Sequence, residues 1–348
     1  LNLHLKQNYL YKKFIKPENL KRNSWSQLQG LNREHKIVKT PKQPLPWQVG
    51  LVLVAGVLAV SSAAIFIRLA NTAADLSGVG FSLFLSASRL TLASLLIVPA
   101  WRNLRSHQLS PGAFHYAVGA GICLALHFAA WITSLSFTSI TASTTLVTTN
   151  PIWVALLSWL WFKEKPSRLT LLGIGIAFIG GVLIALGDQE TVNVSSNPAL
   201  GNSLALIGAV IVSLYLLLGR EAQQRGLGIG SYIAIAYSTG ALVLLPLPLI
   251  FGIGYFGYPR AVYLYVLLMA VLPQLVGHTS FNWAVRWVSP TLVTLAILWE
   301  PVVSSFLGYL VFQELPGRFV LVGAAVLLGG VAIAVFGARA TPVENRET

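Results

Sequence analysis

A few side chains inside the long apolar stretches of this 348-residue chain have chemistry to offer. Glu300 lies ten residues into one such stretch and is the only carboxylate at that depth. A charge in hydrocarbon costs on the order of a few kcal/mol even on lenient scales, so its presence needs a reason. Glu300 can exchange a proton, meet an amine, pair with a buried cation, or satisfy backbone groups freed by Pro301. Arg89, about nine residues into another apolar stretch, can clamp a carboxylate, pair with Glu300, or pack against backbone carbonyls. Histidine as a residue type titrates near neutrality, so His127 and His278 can relay protons; buried histidines also serve as neutral, hydrogen-bonded packers. Thr149, Asn150 and Asn282 offer neutral donors and acceptors, and Trp131 and Trp299 can wall a pocket or sit in an interfacial belt. The binding or coupling candidates are therefore Arg89, His127, Trp131, Thr149, Asn150, His278, Asn282, Trp299 and Glu300, with Pro151 and Pro301 as helix kinks. No catalytic set accompanies them. The chain has no phosphate-cradling Gly-rich loop, no H-E-x-x-H and no other metal-ligand cluster. Its one cysteine, Cys123, excludes an internal disulfide. No cofactor, metal or enzymatic activity is expected.

The elements that must position these residues follow from composition. Apolar residues make up 55% of the chain and charged ones 10%, against about 25% charged in soluble domains. After residue 46, apolar runs of roughly 20 residues, enough to cross hydrocarbon, recur to near the C-terminus. A soluble helical protein would instead carry amphipathic stripes with a charged face. The expectation is an all-α integral membrane protein with ten transmembrane helices at about 47–69, 80–100, 112–135, 141–161, 169–187, 200–219, 230–251, 262–283, 290–312 and 318–338. They are called spans 1 to 10 below. Residues 1–46 read as a basic, mostly disordered cytoplasmic tail with ten Lys/Arg and two Glu, and residues 339–348 as a C-terminal cytoplasmic tail. The formal charge of +13 thus collects in the tail and in short loops, as membrane topology requires, and nucleic acid is not an expected partner.

Two halves of the chain repeat each other. Between residues 151 and 187, 11 of 37 positions are identical to those 150 residues later, without a gap. Phe162, Glu164, Pro166 and Arg168 return as Phe312, Glu314, Pro316 and Arg318. Asn150-Pro151 is answered by Glu300-Pro301, and His127 and His278 fall within one residue of the same offset. The repeats are residues 47–187 and 200–338. Five spans per repeat is an odd number, so the second repeat enters the membrane from the opposite side. Lys/Arg placement sets the orientation: with the N-terminus inside, twenty fall in cytoplasmic segments and only Arg68, Arg260 and Arg318 fall outside. The expectation is two inverted five-helix repeats with both termini cytoplasmic, an architecture whose ligand site lies near mid-membrane at the repeat interface.

These pieces resemble the EamA-like branch of the drug/metabolite transporter superfamily. The resemblance rests on residues 61–68 (Ser-Ser-Ala-Ala-Ile-Phe-Ile-Arg), Arg89, Thr149-Asn150-Pro151 leading to Lys163-Glu164, Glu300-Pro301 leading to Gln313-Glu314, and the Gly-rich spans 5 and 10. It covers residues 47–338. It implies a multi-pass permease of the plasma (inner) membrane that moves a small polar metabolite, an amino acid or related compound among them, by alternating access and more often outward. It names no substrate, and leaves proton or ion coupling and a homodimer open. The rivals are an integral-membrane enzyme, which would want a second buried acid or a metal cluster, and a channel or scaffold, whose lining would be polar along whole helices.

Overall fold

The computed structural model describes residues 43–103, 112–162, 166–188, 197–288 and 290–339. Most of both tails and the Lys163–Lys165 part of the first repeated turn lie outside the described residues. The described residues are helical, with no strand among them. Nine helices among them are long and apolar enough to cross a membrane: Pro46–Ala74, Val79–Leu96, Ala113–Ser134, Ile140–Leu157, Pro198–Gln224, Ile229–Ile250, Arg260–Ala284, Leu292–Phe312 and Arg318–Gly337. Span 5, helix Arg168–Asp188, contributes a shorter apolar stretch, Arg168–Ile184.

Four spans expected to be continuous are broken. Span 1 divides into Pro46–Ser61 and Ala63–Ala74. At the break Ser61 Oγ and Ser62 Oγ donate to the carbonyls of Val57 and Ala59, both at 2.7 Å. Such back-bonding competes with the helical ladder and bends the helix. Spans 4 and 9 break at matched places, Ile140–Val147 / Asn150–Phe162 and Pro290–Ile297 / Glu300–Phe312. Pro151 and Pro301 lack the N–H that the carbonyl four residues back would accept. Span 8 passes from α-helix Arg260–Met269 through a π-helical stretch, Ala270–His278 with Pro273 inside, to Thr279–Ala284. Wide turns of this kind concentrate at functional sites.

The packing of the halves is reciprocal. Span 1 lies against span 8 and span 6 against span 3; spans 2 and 7, 4 and 9, and 5 and 10 pack on their own counterparts. Each contact is thus matched by its repeat-exchanged partner, which is what a two-fold axis between the halves produces. Spans 5 and 10 give the direction of that axis. A Cβ on Gly173 would collide with the backbone at Gly330 and Ala334, and one on its repeat counterpart Gly323 would meet Gly180 and Ile184. Thr170 Oγ1 donates to Ala334 O at 3.2 Å and Ser167 Oγ to Gly337 O at 3.0 Å. The start of one helix therefore meets the end of the other. A two-fold that superposes two antiparallel helices must lie perpendicular to them, in the membrane plane, so the repeats are inverted. The small residues are consumed in this backbone-to-backbone approach, so the stripe of Gly and Ala in span 5 serves the chain's own packing.

Polarity is distributed inside out. Leu51, Phe178, Leu242 and Phe306 are exposed on the perimeter, while Arg89, Tyr215, Tyr232 and Tyr237 are fully buried. Hydrocarbon at the rim and polar groups at the seam are what a bilayer solvent selects.

Candidate functional site

A cavity of about 50 Å³ lies between the halves, enough for a few waters at the roughly 10–15 Å³ that each needs on this measure. Arg89, His127, Trp131, Asn150, His278 and Glu300 line it, together with Tyr215 and the helix-break residues Val147 and Ile297. Six of the nine candidate residues thus meet at one place, drawn from spans 2, 3, 4, 8 and 9. Asn150 and Glu300 are repeat counterparts, and so, within one residue, are His127 and His278, whose rings approach to 6.5 Å. Counterparts that approach each other lie near the two-fold, so the cavity sits on the axis.

Matched serines hold the two breaks. Ser213 Oγ of span 6 donates to Asn150 O at 3.1 Å, and Ser61 Oγ of span 1 makes the equivalent, longer contact to Glu300 O at 3.5 Å. Ser304 Oγ returns to Ser61 O at 3.1 Å. Spans 4 and 9 are thereby each tied to a span of the other half.

Arg89 does not pair with Glu300. No nitrogen of Arg89 comes within 4.0 Å of that carboxylate; the ion pairs among the described residues are Arg68–Glu314 and Arg225–Glu221. Arg89 Nε donates to Gln274 Oε1 at 3.0 Å, and the guanidinium carbon lies 4.1 Å from the centre of the Phe128 ring. The π-helical stretch of span 8 delivers Gln274 to the nitrogen that Glu300 would have taken. Arg89 Nη1 and Nη2 are buried with no hydrogen-bond partner. Trp131 Nε1 and Asn150 Oδ1 are likewise unpartnered. Buried polar groups are normally satisfied, and here four unsatisfied atoms belong to cavity-lining side chains.

His127 Nδ1 lies 3.0 Å from Gly208 O. A carbonyl can only accept, so this nitrogen carries the proton. The ring stacks on Trp131 at 6.0 Å. His278 stands edge-on to Phe128 at 5.2 Å and to Tyr215 at 6.4 Å. Three candidates fall elsewhere. Thr149 Oγ1 donates to Leu146 O at 2.7 Å and accepts from Trp153 Nε1 at 3.1 Å, so its hydroxyl is used within its own span. Asn282 stands behind the cavity, its Nδ2 donating to Tyr215 Oη and its carbonyl accepting from Gln223 Nε2 at 3.1 Å. Trp299 is 66% exposed on the perimeter; the turn at the span 9 break sends Glu300 inward and its neighbour outward. Sequence reasoning missed Tyr215 and Phe128, which look like ordinary apolar packers within their spans.

One end of the seam is latched. Arg68 Nη1 donates to Glu314 Oε2 at 2.9 Å and Nη2 to Thr138 O at 2.7 Å, while Ile140 N donates to Glu314 Oε1 at 2.8 Å. The end of span 1, the turn between spans 3 and 4, and the end of span 9 are thus joined.

A polytopic helical bundle with a polar, two-fold-centred cavity between discontinuous spans has the form of a membrane transporter. The EamA-like transporter family model matches the chain twice, at residues 47–186 and 199–336, and the chain belongs to that family. It is 23% identical to an uncharacterized transporter of Archaeoglobus fulgidus over 81% of this chain and 95% of that one. It is 26% identical to a probable terminal-alkyne amino-acid exporter of Streptantibioticus cattleyicolor over 72% of this chain and 82% of the relative. A crystal structure at 19% identity superposes with a TM-score of 0.57 over 84% of this chain and 98% of the other, which supports the fold. The protein is a multi-pass membrane transporter.

Proposed function

We propose that this transporter is a secondary carrier that exports a small polar metabolite of amino-acid type across the plasma membrane by alternating access. The observation that carries this reading is the placement of Asn150 and Glu300. They are repeat counterparts, each stands at the break of a proline-interrupted span, and both face one cavity on the two-fold. Discontinuous helices around a central site can rock against the other half while the site stays in place. With both termini cytoplasmic, the Arg68–Glu314 latch would lie at the outer end of the seam, where it would hold that end closed. The likeness to a probable amino-acid exporter supports the substrate class and direction. Glu300 is the coupling candidate, because it is the acid in the cavity and has no ion-pair partner there. A homodimer draws no support from the Gly/Ala stripe of spans 5 and 10, which the chain itself occupies.

The test uses the purified full chain in liposomes. A carrier gives saturable flux of amino-acid-type solutes and counterflow when one side is preloaded. Flux that rises linearly without counterflow would replace the carrier with a channel.

A further inference from the structure

We propose that the cavity selects a solute bearing a carboxylate, that Arg89 Nη1 and Nη2 receive it, and that Gln274 is the positioning and specificity-determining residue that keeps them available. The proposal rests on the carrier reading of the same cavity and names its substrate chemistry. Arg89 is fully buried and lines the cavity, yet only one of its three guanidinium nitrogens is bonded. A guanidinium does not readily escape burial by giving up its proton, so the arrangement needs an acceptor that the protein itself does not supply. With Nε held by Gln274, the two outer nitrogens form the end-on fork that fits the two oxygens of a carboxylate. The Phe128 ring under the guanidinium fixes its plane.

The identity of the holding residue matters. Arg89 can only donate, so Gln274 must present its carbonyl oxygen, and a neutral amide leaves the full positive charge facing the cavity. The Gln274 backbone carbonyl is itself within reach of Tyr237 Oη and Thr279 Oγ1, each at 3.4 Å. A glutamate at this position would have nearly the same shape and would neutralise Arg89 in place. A phosphate group fits less well, because its second negative charge would share a small cavity with Glu300 and no second cation.

The experiment follows thermal unfolding of the purified full chain in detergent with α-amino acids, short monocarboxylates, the matching decarboxylated amines, and inorganic phosphate. Expected is saturable protection by at least one carboxylate solute and none by its decarboxylated amine. Gln274→Glu should weaken that binding about ten- to a hundred-fold, as expected for loss of a charge-assisted pair, while the ligand-free variant unfolds no lower than wild type. Should that variant fold poorly, Arg89→Lys carries the test: it keeps the charge and loses the fork, and should bind about ten-fold more weakly. The proposal is overturned if carboxylates protect either variant as well as wild type, if amines or phosphate protect wild type equally, or if no solute protects it. Flux separates the two levels. Saturable transport of a solute lacking a carboxylate overturns this inference and retains the carrier, whereas carboxylate binding without flux retains the anion site and removes the carrier.

Discussion

At the scale of single residues, the informative finding is a pair that does not form. Arg89 and Glu300 share a cavity, but Arg89 is held by Gln274 and Glu300 is left without a cation in contact. They still feel each other's charge across the shared cavity, but as neighbours and not as a contact pair. In a double-mutant cycle with Arg89→Leu and Glu300→Gln, the coupling energy is expected at about 0.5–1 kcal/mol, the low end for residues that share a cavity. Rescue of Arg89→Leu by Glu300→Gln would show a buried pair instead. Glu300→Gln alone should abolish flux driven by a pH gradient and leave counterflow and expression intact, because the amide keeps the shape and loses the exchangeable proton. Unchanged pH-driven flux in this variant would remove Glu300 from coupling.

At the scale of elements, the crossing of spans 5 and 10 and the latch on span 9 make separate predictions. A valine at Gly180 would force its side chain into the backbone of span 10 at Gly323 and Leu327. Overpacking of this kind costs about 1–3 kcal/mol, so Gly180→Val should lower the unfolding temperature in detergent. Gly175→Val, on the same helix with no atom within 4 Å of the added carbon, is the control and should unfold near wild type. Equal effects of the two would refute the close crossing. The latch is part-exposed, at 27% for Arg68 and 19% for Glu314, so its worth to global stability is small. Its effect should appear in the balance between states. Glu314→Gln removes the charge shared by Arg68 and the Ile140 N–H, and should raise labelling of a cysteine placed at Ala63 by an impermeant reagent added from outside. No change in labelling would mean that the latch does not close the outer end.

At the scale of the whole molecule, the antiparallel packing of spans 5 and 10 requires an in-plane two-fold, and the Lys/Arg distribution supplies a proposal for which face is cytoplasmic. Reporter fusions after residues 105, 166 and 225 should report cytoplasm, and fusions near 192, 257 and 315 the outside. An exterior signal at 166 would be incompatible with inverted repeats in this orientation. The halves also interleave, span 1 with span 8 and span 3 with span 6. Neither repeat buries its inner polar groups alone, so separated halves expressed singly should fail to accumulate, and co-expression should restore the protein if the interleaved packing is what stabilises each.

The amino-acid sequence by itself determined the class of solvent, nine of the expected spans and the repeat, because these depend on local composition and on a register that survives in F-x-E-x-P-x-R. It also picked out Arg89, His127, Asn150, His278 and Glu300, because an ionisable or amide group in hydrocarbon is conspicuous against its neighbours. Partners were another matter. Pairing Arg89 with Glu300 followed from counting buried charges, and counting ignores the neutral Gln274 that the π-helical stretch of span 8 brings to Arg89. Trp299 and Trp131 are both tryptophans in apolar spans, yet one is 66% exposed and the other 4%. Which side of a broken helix faces the axis depends on how far the backbone turns at residues 298 and 299, and local composition does not encode that angle. Tyr215 entered the cavity only because span 6 crosses span 3 there. Such long-range choices come from packing one half against the other, and only the tertiary structure decides them.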